Sequence, residues 1–243
     1  MKKFAVFDID GTLFRSSLYI ELASELIDTG YIGADLAADI ALKRQSWHGR
    51  ESNTAYQEFD LVISDGIDQL LTSIPVSVYE QAVERTIKKN SDKIYSYTRG
   101  LIAQLRSEGY MIIAVSGSPK ELVEQFVAHY EFDIWVGQHW VQRNGSFTGE
   151  IIKTHTGKDK ILKKLIEEHD LTLEGSYGIG DTQGDIGILS MVDNAVAFNP
   201  TYELIEAAQA NGWTIVVERK NICYTLKPNN TGSDYVLNQF TKV

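Results

Sequence analysis

Short apolar runs that end on polar, glycine-rich stretches recur along this chain, at residues 4–7, 110–115, 176–179, 195–198 and 213–217. Each is only a few residues long, apolar on both faces and rich in β-forming side chains, the pattern of a strand buried on two sides. Helical patterns fill the gaps. Residues 98–109 carry Leu101, Ile102 and Leu105 at helical spacing, with Gly109 as a stop, and 119–130, 158–169, 185–191 and 201–211 read alike. Alternation of this kind predicts an α/β fold, a Rossmann-like parallel sheet with helices on both faces. Within it, residues 139–141 and 146–149 flank Arg143-Asn144-Gly145, which predicts a hairpin.

Residues 16–96 break the rhythm. Helical patterns at 18–26, 34–43, 52–63 and 76–89 follow one another with no strand pattern between them. The expected organisation is therefore a core built from residues 1–15 and 97–243, with an all-helical cap, residues 16–96, inserted after the first strand. Tyr19, Tyr31, Trp47, Tyr56 and Phe59 would pack that bundle or line a pocket in it.

At 243 residues with 43% hydrophobic content, the chain can bury a core without staples. Its single cysteine, Cys223, cannot close an intramolecular disulfide and reads as a buried small hydrophobe. The balance of 23 Lys+Arg against 33 Asp+Glu, a net charge of −10, has the wrong sign for a nucleic-acid groove. No apolar run approaches the ~20 residues of a spanning helix. The N-terminus reaches Asp8 and Asp10 before any secretory apolar region develops. A cytoplasmic protein with no nucleic-acid partner and no membrane span is expected, and the glycosylation patterns at Asn144 and Asn229 are read as chance.

The chemistry gathers where apolar runs end, which is where open α/β sheets place ligands. Asp8-Ile9-Asp10-Gly11-Thr12 sets two carboxylates two residues apart just past a buried strand, where they would point the same way and repel unless a cation or shared proton compensates. Ser116-Gly117-Ser118-Pro119 joins a hydroxyl and a glycine to a helix opened by proline, a ready anion site. Gly157-Lys158 puts a lysine against a helix dipole, which is unfavourable unless an anion is shared there; Ile152 stands where a Walker A loop needs glycine. Gly178-Ile179-Gly180-Asp181-Thr182-Gln183-Gly184-Asp185 is spaced one residue too long for a dinucleotide fingerprint. Its acids, Asp181 and Asp185, suit a hard cation such as Mg2+ held beside a substrate phosphate. His48, His129, His139, His155 and His169 show no metal-ligand spacing, though His155 lies close to Lys158 in sequence.

Taken in order, Asp-Ile-Asp-Gly-Thr, Ser-Gly-Ser, the isolated lysine and Gly-Asp-Thr-Gln-Gly-Asp resemble the four motifs of the haloacid dehalogenase (HAD) superfamily. The helical insertion resembles the cap of its phosphoserine-phosphatase-like (HAD-IB) branch, and the likeness runs from residue 4 to about 217. It implies a Mg2+-dependent phosphomonoester hydrolase acting on a small phosphorylated metabolite. By that resemblance Asp8 is the nucleophile that forms an aspartyl-phosphate, and Asp10 the acid–base group. Ser116, the amide of Gly117 and Lys158 hold the phosphoryl group. Asp8, the backbone carbonyl of Asp10 and Asp181 ligate Mg2+, and Asp185 supports Lys158 or a metal-bound water.

The resemblance has gaps. Phosphoserine phosphatases carry a Glu about nine residues after the nucleophile, where this chain has Ser17, and a cap Arg that a rough alignment sets near Asp60. Arg44 and Arg50 are the available substitutes. Phosphoserine is therefore not the expected substrate. Asp10 argues against dehalogenases and P-type ATPases; a phosphomutase, or an inactive phosphate-binding scaffold, are the alternatives.

Overall fold

The computed structural model describes residues 1–154, 157–229 and 234–243. In chain order it runs β1 (Lys2–Phe7), α1 (Leu18–Asp28), α2 (Ala34–Gly49), α3 (Ala55–Leu70), α4 (Val76–Asn90), α5 (Ser96–Ser107), β2 (Met111–Pro119), α6 (Lys120–Val127), β3 (Ile134–Arg143) and β4 (Ser146–Ile152). There follow α7 (Lys158–Glu168), β5 (Leu171–Gly180), α8 (Ile186–Leu189), β6 (Asn194–Phe198), α9 (Tyr202–Asn211), β7 (Thr214–Arg219), β8 (Ile222–Pro228) and β9 (Tyr235–Lys242). Two compact units result: Met1–Arg15 with Lys93–Gln138 and Lys153–Val243, and Ser16–Asp92 with His139–Ile152. Among the described residues no helix is long and apolar enough to cross a membrane.

The first unit is the parallel α/β sheet that the apolar runs predict. Strand order is β3-β2-β1-β5-β6-β7-β8-β9, with β1 paired parallel to both β2 and β5. The period-2 alternation of β1 sends Phe4 and Val6 to one face, where they join Leu162 of α7, Leu189 of α8 and Leu204 of α9 in one apolar cluster. Phe7 packs edge-on against Phe132, 6.2 Å between ring centroids. Both faces of the sheet are thus covered, and the open ends of its central strands are left for chemistry.

Two elements went beyond the sequence pattern. β8 and β9 extend the sheet antiparallel past β7, although their residues mix polar and apolar side chains and offer no continuous apolar run. The helix expected over 185–191 is a 3-10 turn, Gln183–Asp185, followed by the short α8. Cys223 is buried on β8 as expected, and burial with the nearby Glu218 pushes its thiol up to about 11.

The second unit packs α1, α3 and α4 through Leu18, Leu22, Phe59, Ile63, Tyr79 and Val83, all buried. Glu25 of α1 is a buried carboxylate held by Lys89 and by Arg85 Nε at 3.2 Å, both from α4. Trp47 stacks on Phe59 at 5.3 Å and meets Tyr56 at 5.2 Å, so these aromatics pack the bundle, whereas Tyr31 is exposed. The hairpin forms as predicted, Asn144 and Gly145 taking φ of 52° and 76° as a type I′ turn requires.

Its location differs from the sequence reading, which left all of 97–243 in the core. Residues His139–Ile152 belong to the second unit because Trp140 and Phe147 pack on Tyr79, at 5.1 and 5.2 Å, and Trp140 also meets Tyr19 at 6.0 Å. Residues Lys93–Tyr95 go with the first unit, tied by Arg15 N–H to the Lys93 carbonyl (2.8 Å) and Tyr95 N–H to the Leu13 carbonyl (2.9 Å).

Candidate active site

Every motif residue singled out in the sequence, apart from His155, lies in the first unit, around the ends of β1, β2 and β5 and the start of α7. His155 lies outside the described residues.

Asp8 leaves the end of β1 with its N–H on the Ile179 carbonyl at 2.9 Å, which fixes its backbone against β5. The chain then turns sharply: Thr12, Leu13 and Phe14 all donate their N–H groups to the Ile9 carbonyl. Gly11 makes this possible. Its φ is +77°, and a Cβ there would stand 2.0 Å from an Asp181 carboxylate oxygen. Since β1 ends at Phe7, both Asp8 and Asp10 lie just past the strand. The two acids take different partners.

Asp8 faces Lys158. Lys158 Nζ donates to Asp8 Oδ1 at 2.5 Å and to Asp185 Oδ1 at 2.7 Å, with Asp8 5%, Lys158 6% and Asp185 0% exposed. These two carboxylates are the anions that the dipole argument required for a lysine opening α7. Asp185 Oδ2 in turn accepts the N–H groups of Asp181 (3.1 Å) and Thr182 (3.0 Å), so both its oxygens are engaged. Asp185 sits so close to Gly180 that a Cβ there would lie 2.4 Å from its Cβ and Cγ. Thr12 Oγ1 donates to Asp181 Oδ1 at 3.2 Å.

Asp10 faces the end of β2. Ser116 Oγ and Ser118 Oγ both donate to Asp10 Oδ2, at 2.9 and 2.8 Å. Ser116 Oγ also accepts the Ser118 N–H at 2.9 Å, and Thr154 Oγ1 holds the Ser116 carbonyl at 2.5 Å. Gly117 lies half-buried between the two serines. The sequence reading gave no role to Ser118, Thr12 or Thr154. Ser118 and Thr12 stood inside motifs already singled out; nothing in the sequence marks Thr154.

Charge is out of balance here. Asp8, Asp181 and Asp185 offer carboxylate oxygens within 4.8 Å of one another, beside the buried ammonium of Lys158. Burial pushes the Asp8 carboxyl up to about 8, Lys158 pulling it down and Asp185 and Asp10 pushing it further up. Asp181 is raised well above the usual carboxylate range by burial and then by Asp8 and Asp185. Burial by itself would lower Lys158, but Asp185 and Asp8 outweigh it and hold the ammonium protonated. A cluster of buried oxygens with surplus negative charge fits a hard divalent cation, which would relieve the repulsion that raises these carboxyls.

Known proteins carry similar chains. The family model described as haloacid dehalogenase-like hydrolase matches residues 5–190. The phosphoserine phosphatase of Methanocaldococcus jannaschii is 22% identical over 230 residues, 93% of this chain and 97% of its own. The histidinol-phosphatase of Neisseria meningitidis serogroup C is 22% identical over 223 residues, 89% of this chain and 99% of its own. A solved structure of a phospho-aspartyl intermediate analogue of phosphoserine phosphatase has the same fold, with a TM-score of 0.62 at 21% identity, covering 90% of this chain and 94% of that one. A family match that begins in the first strand and continues beyond Asp185 spans most of the molecule: the chain belongs to the haloacid dehalogenase-like hydrolase family, among its phosphatases.

Proposed function

We propose that this chain is a Mg2+-dependent phosphomonoester hydrolase that works through an aspartyl-phosphate on Asp8 and acts on a small phosphorylated metabolite. The observation that carries the reading is the buried ammonium of Lys158 shared between Asp8 and Asp185. A carboxylate approaches a phosphate dianion only where positive charge offsets the repulsion. Lys158 supplies such charge at the carboxylate itself, and Asp185 holds it there.

Asp8, Asp181 and the backbone carbonyl of Asp10 would hold Mg2+, with Asp185 beside them; when bound, the ion supplies charge neutralisation and orientation of the phosphoryl oxygens. The rest is done by the chain. Asp8 attacks phosphorus and the bond to the leaving oxygen breaks. Asp10 gives that oxygen a proton, then takes one from the water that cleaves the acyl phosphate, so phosphate is released and Asp8 is regenerated. Ser116 and the Gly117 amide bind the phosphoryl oxygens, and Lys158 offsets their charge. The helical unit, residues 16–96 in the sequence reading, serves as the cap that reads the rest of the substrate.

Ser17, a buried residue at the start of α1, stands where phosphoserine phosphatases have the Glu that meets the substrate ammonium, and a rough alignment sets Asp60 near their cap Arg, with Arg44 and Arg50 the available substitutes. A carboxylate buried without a partner is costly. The favoured substrates are therefore carboxylate-free esters, the phosphates of alcohols, amino alcohols or sugars. A histidinol-phosphatase of nearly the same length among the relatives supports this class. Hydrolysis of p-nitrophenyl phosphate that needs Mg2+ and stops with a chelator tests the activity. Absence of turnover by pure, folded protein with Mg2+ would overturn the hydrolase reading in favour of a phosphomutase or a phosphate-binding scaffold.

A further inference from the structure

Ser116 has one hydroxyl proton, and in this structure it is spent on Asp10 Oδ2. The function proposed above asks the same hydroxyl to donate to a phosphoryl oxygen. It cannot donate to both at full strength, so substrate binding takes Ser116 away from Asp10. A second hydroxyl is already in place. Ser118 Oγ lies 2.8 Å from the same Asp10 oxygen, and Ser118 is 1% exposed, so water does not compete for it. Its backbone N–H is anchored on Ser116 Oγ at 2.9 Å, and this contact uses a lone pair of Ser116 rather than its proton. That anchor survives when Ser116 turns its proton to the substrate.

We propose that Ser118 is a positioning residue that holds Asp10 for proton transfer once Ser116 has turned to the phosphoryl group. The two serines divide the work: Ser116 moves between the acid and the substrate, while Ser118 stays on the acid. The proton delivered to the leaving oxygen comes from Asp10, not from Ser118, whose hydroxyl stays protonated throughout. Without Ser118, Asp10 loses a buried hydroxyl donor at the moment it must face the leaving group. Misplacing a catalytic group by about 1 Å is enough to cost on the order of 10²-fold.

This inference rests on the hydrolase reading and on Asp10 as the acid, so the experiment establishes those first. Wild type and Asp10→Ala are compared on an alkyl phosphate and on p-nitrophenyl phosphate, whose leaving group needs no proton, reading kcat/KM, which stops at leaving-group departure. No wild-type turnover, or an Asp10→Ala loss equal for the two esters, overturns the underlying reading and the proposal with it. With that reading in place, Ser118→Ala is expected to lose roughly 10–100-fold in kcat/KM on the alkyl phosphate. It should stay within about threefold on p-nitrophenyl phosphate, with the inhibition constant of inorganic phosphate unchanged. Ser116→Ala should instead weaken phosphate inhibition. Ser118→Thr, which keeps the hydroxyl, should restore the alkyl ester. Where the alanine variant does not fold, the isosteric Ser118→Cys, with a weak donor, carries the same comparison. Equal losses on both esters, weaker phosphate inhibition, or an unchanged alkyl rate would each overturn the assignment to Ser118.

Discussion

Lys158 Nζ and Asp8 Oδ1 stand 2.5 Å apart at the ends of the central strands, both buried, and Asp185 Oδ1 meets the same ammonium at 2.7 Å. The lysine is therefore shared between two buried carboxylates. If Asp185 acts only through Lys158, the losses in Lys158→Ala and Asp185→Asn should not add, and the double variant should be little slower than the slower single one. The comparison is made on kcat/KM for p-nitrophenyl phosphate. Fully additive losses would mean that Asp185 has a separate task. Lys158→Ala should also be less stable, by about 3–5 kcal/mol, because it leaves buried carboxylates without their cation, as thermal melts would show.

Asp10→Ala should slow turnover of an alkyl phosphate by ~10²–10⁴-fold, the usual worth of a positioned acid or base. The loss should shrink in kcat/KM for p-nitrophenyl phosphate. Equal losses would remove the acid role from Asp10.

Stability should depend on pH in a way that Mg2+ erases. Asp8 rises from an ordinary 3.8 to about 8 in the folded protein, and Asp181 moves the same way. An acid whose pKa is raised by folding binds more protons in the native than in the unfolded state, so stability falls as pH rises between those two values. Mg2+ displaces the protons and favours the ionised forms. The gap between Tm with Mg2+ and Tm with chelator should widen from pH 5.5 to pH 8, on the order of a few degrees. An equal gap at both values would show that these carboxyls are not where the ion binds.

Substrate charge can be tested on a panel of phosphorylated metabolites. Carboxylate-free esters should give the higher kcat/KM, with amino-alcohol phosphates among the best. Asp60 lies half-buried on α3. Asp60→Asn should raise KM for a cationic substrate and spare neutral ones. Preference for phosphoserine over every carboxylate-free ester would refute this reading of the helical unit.

Much of this was legible in the sequence because it is local. Asp8 ends a strand pattern, Lys158 opens a helical one, and Asp181 and Asp185 sit four apart across the next strand end, so the parallel sheet brings them together. What escaped is long-range or conformational. The turn on the Ile9 carbonyl sets Asp10 against Ser116 and Ser118, which no spacing rule shows. The hairpin was legible as a hairpin, but its place depends on Trp140 meeting Tyr79, far apart in sequence. The final strands β8 and β9 were missed because antiparallel edge strands carry mixed side chains where buried parallel ones carry apolar runs.

The central claim is that Asp8 becomes phosphorylated. Acid-quenching the enzyme during turnover of p-nitrophenyl phosphate with Mg2+, then measuring peptide masses, tests it directly. The account predicts a phosphoryl group on the peptide that contains Asp8, lost on hydroxylamine treatment, and none in Asp8→Asn, which should have no measurable turnover while keeping its fold. An Asp8→Asn enzyme within about tenfold of wild-type activity, or steady turnover with the phosphoryl group on another residue, would contradict it.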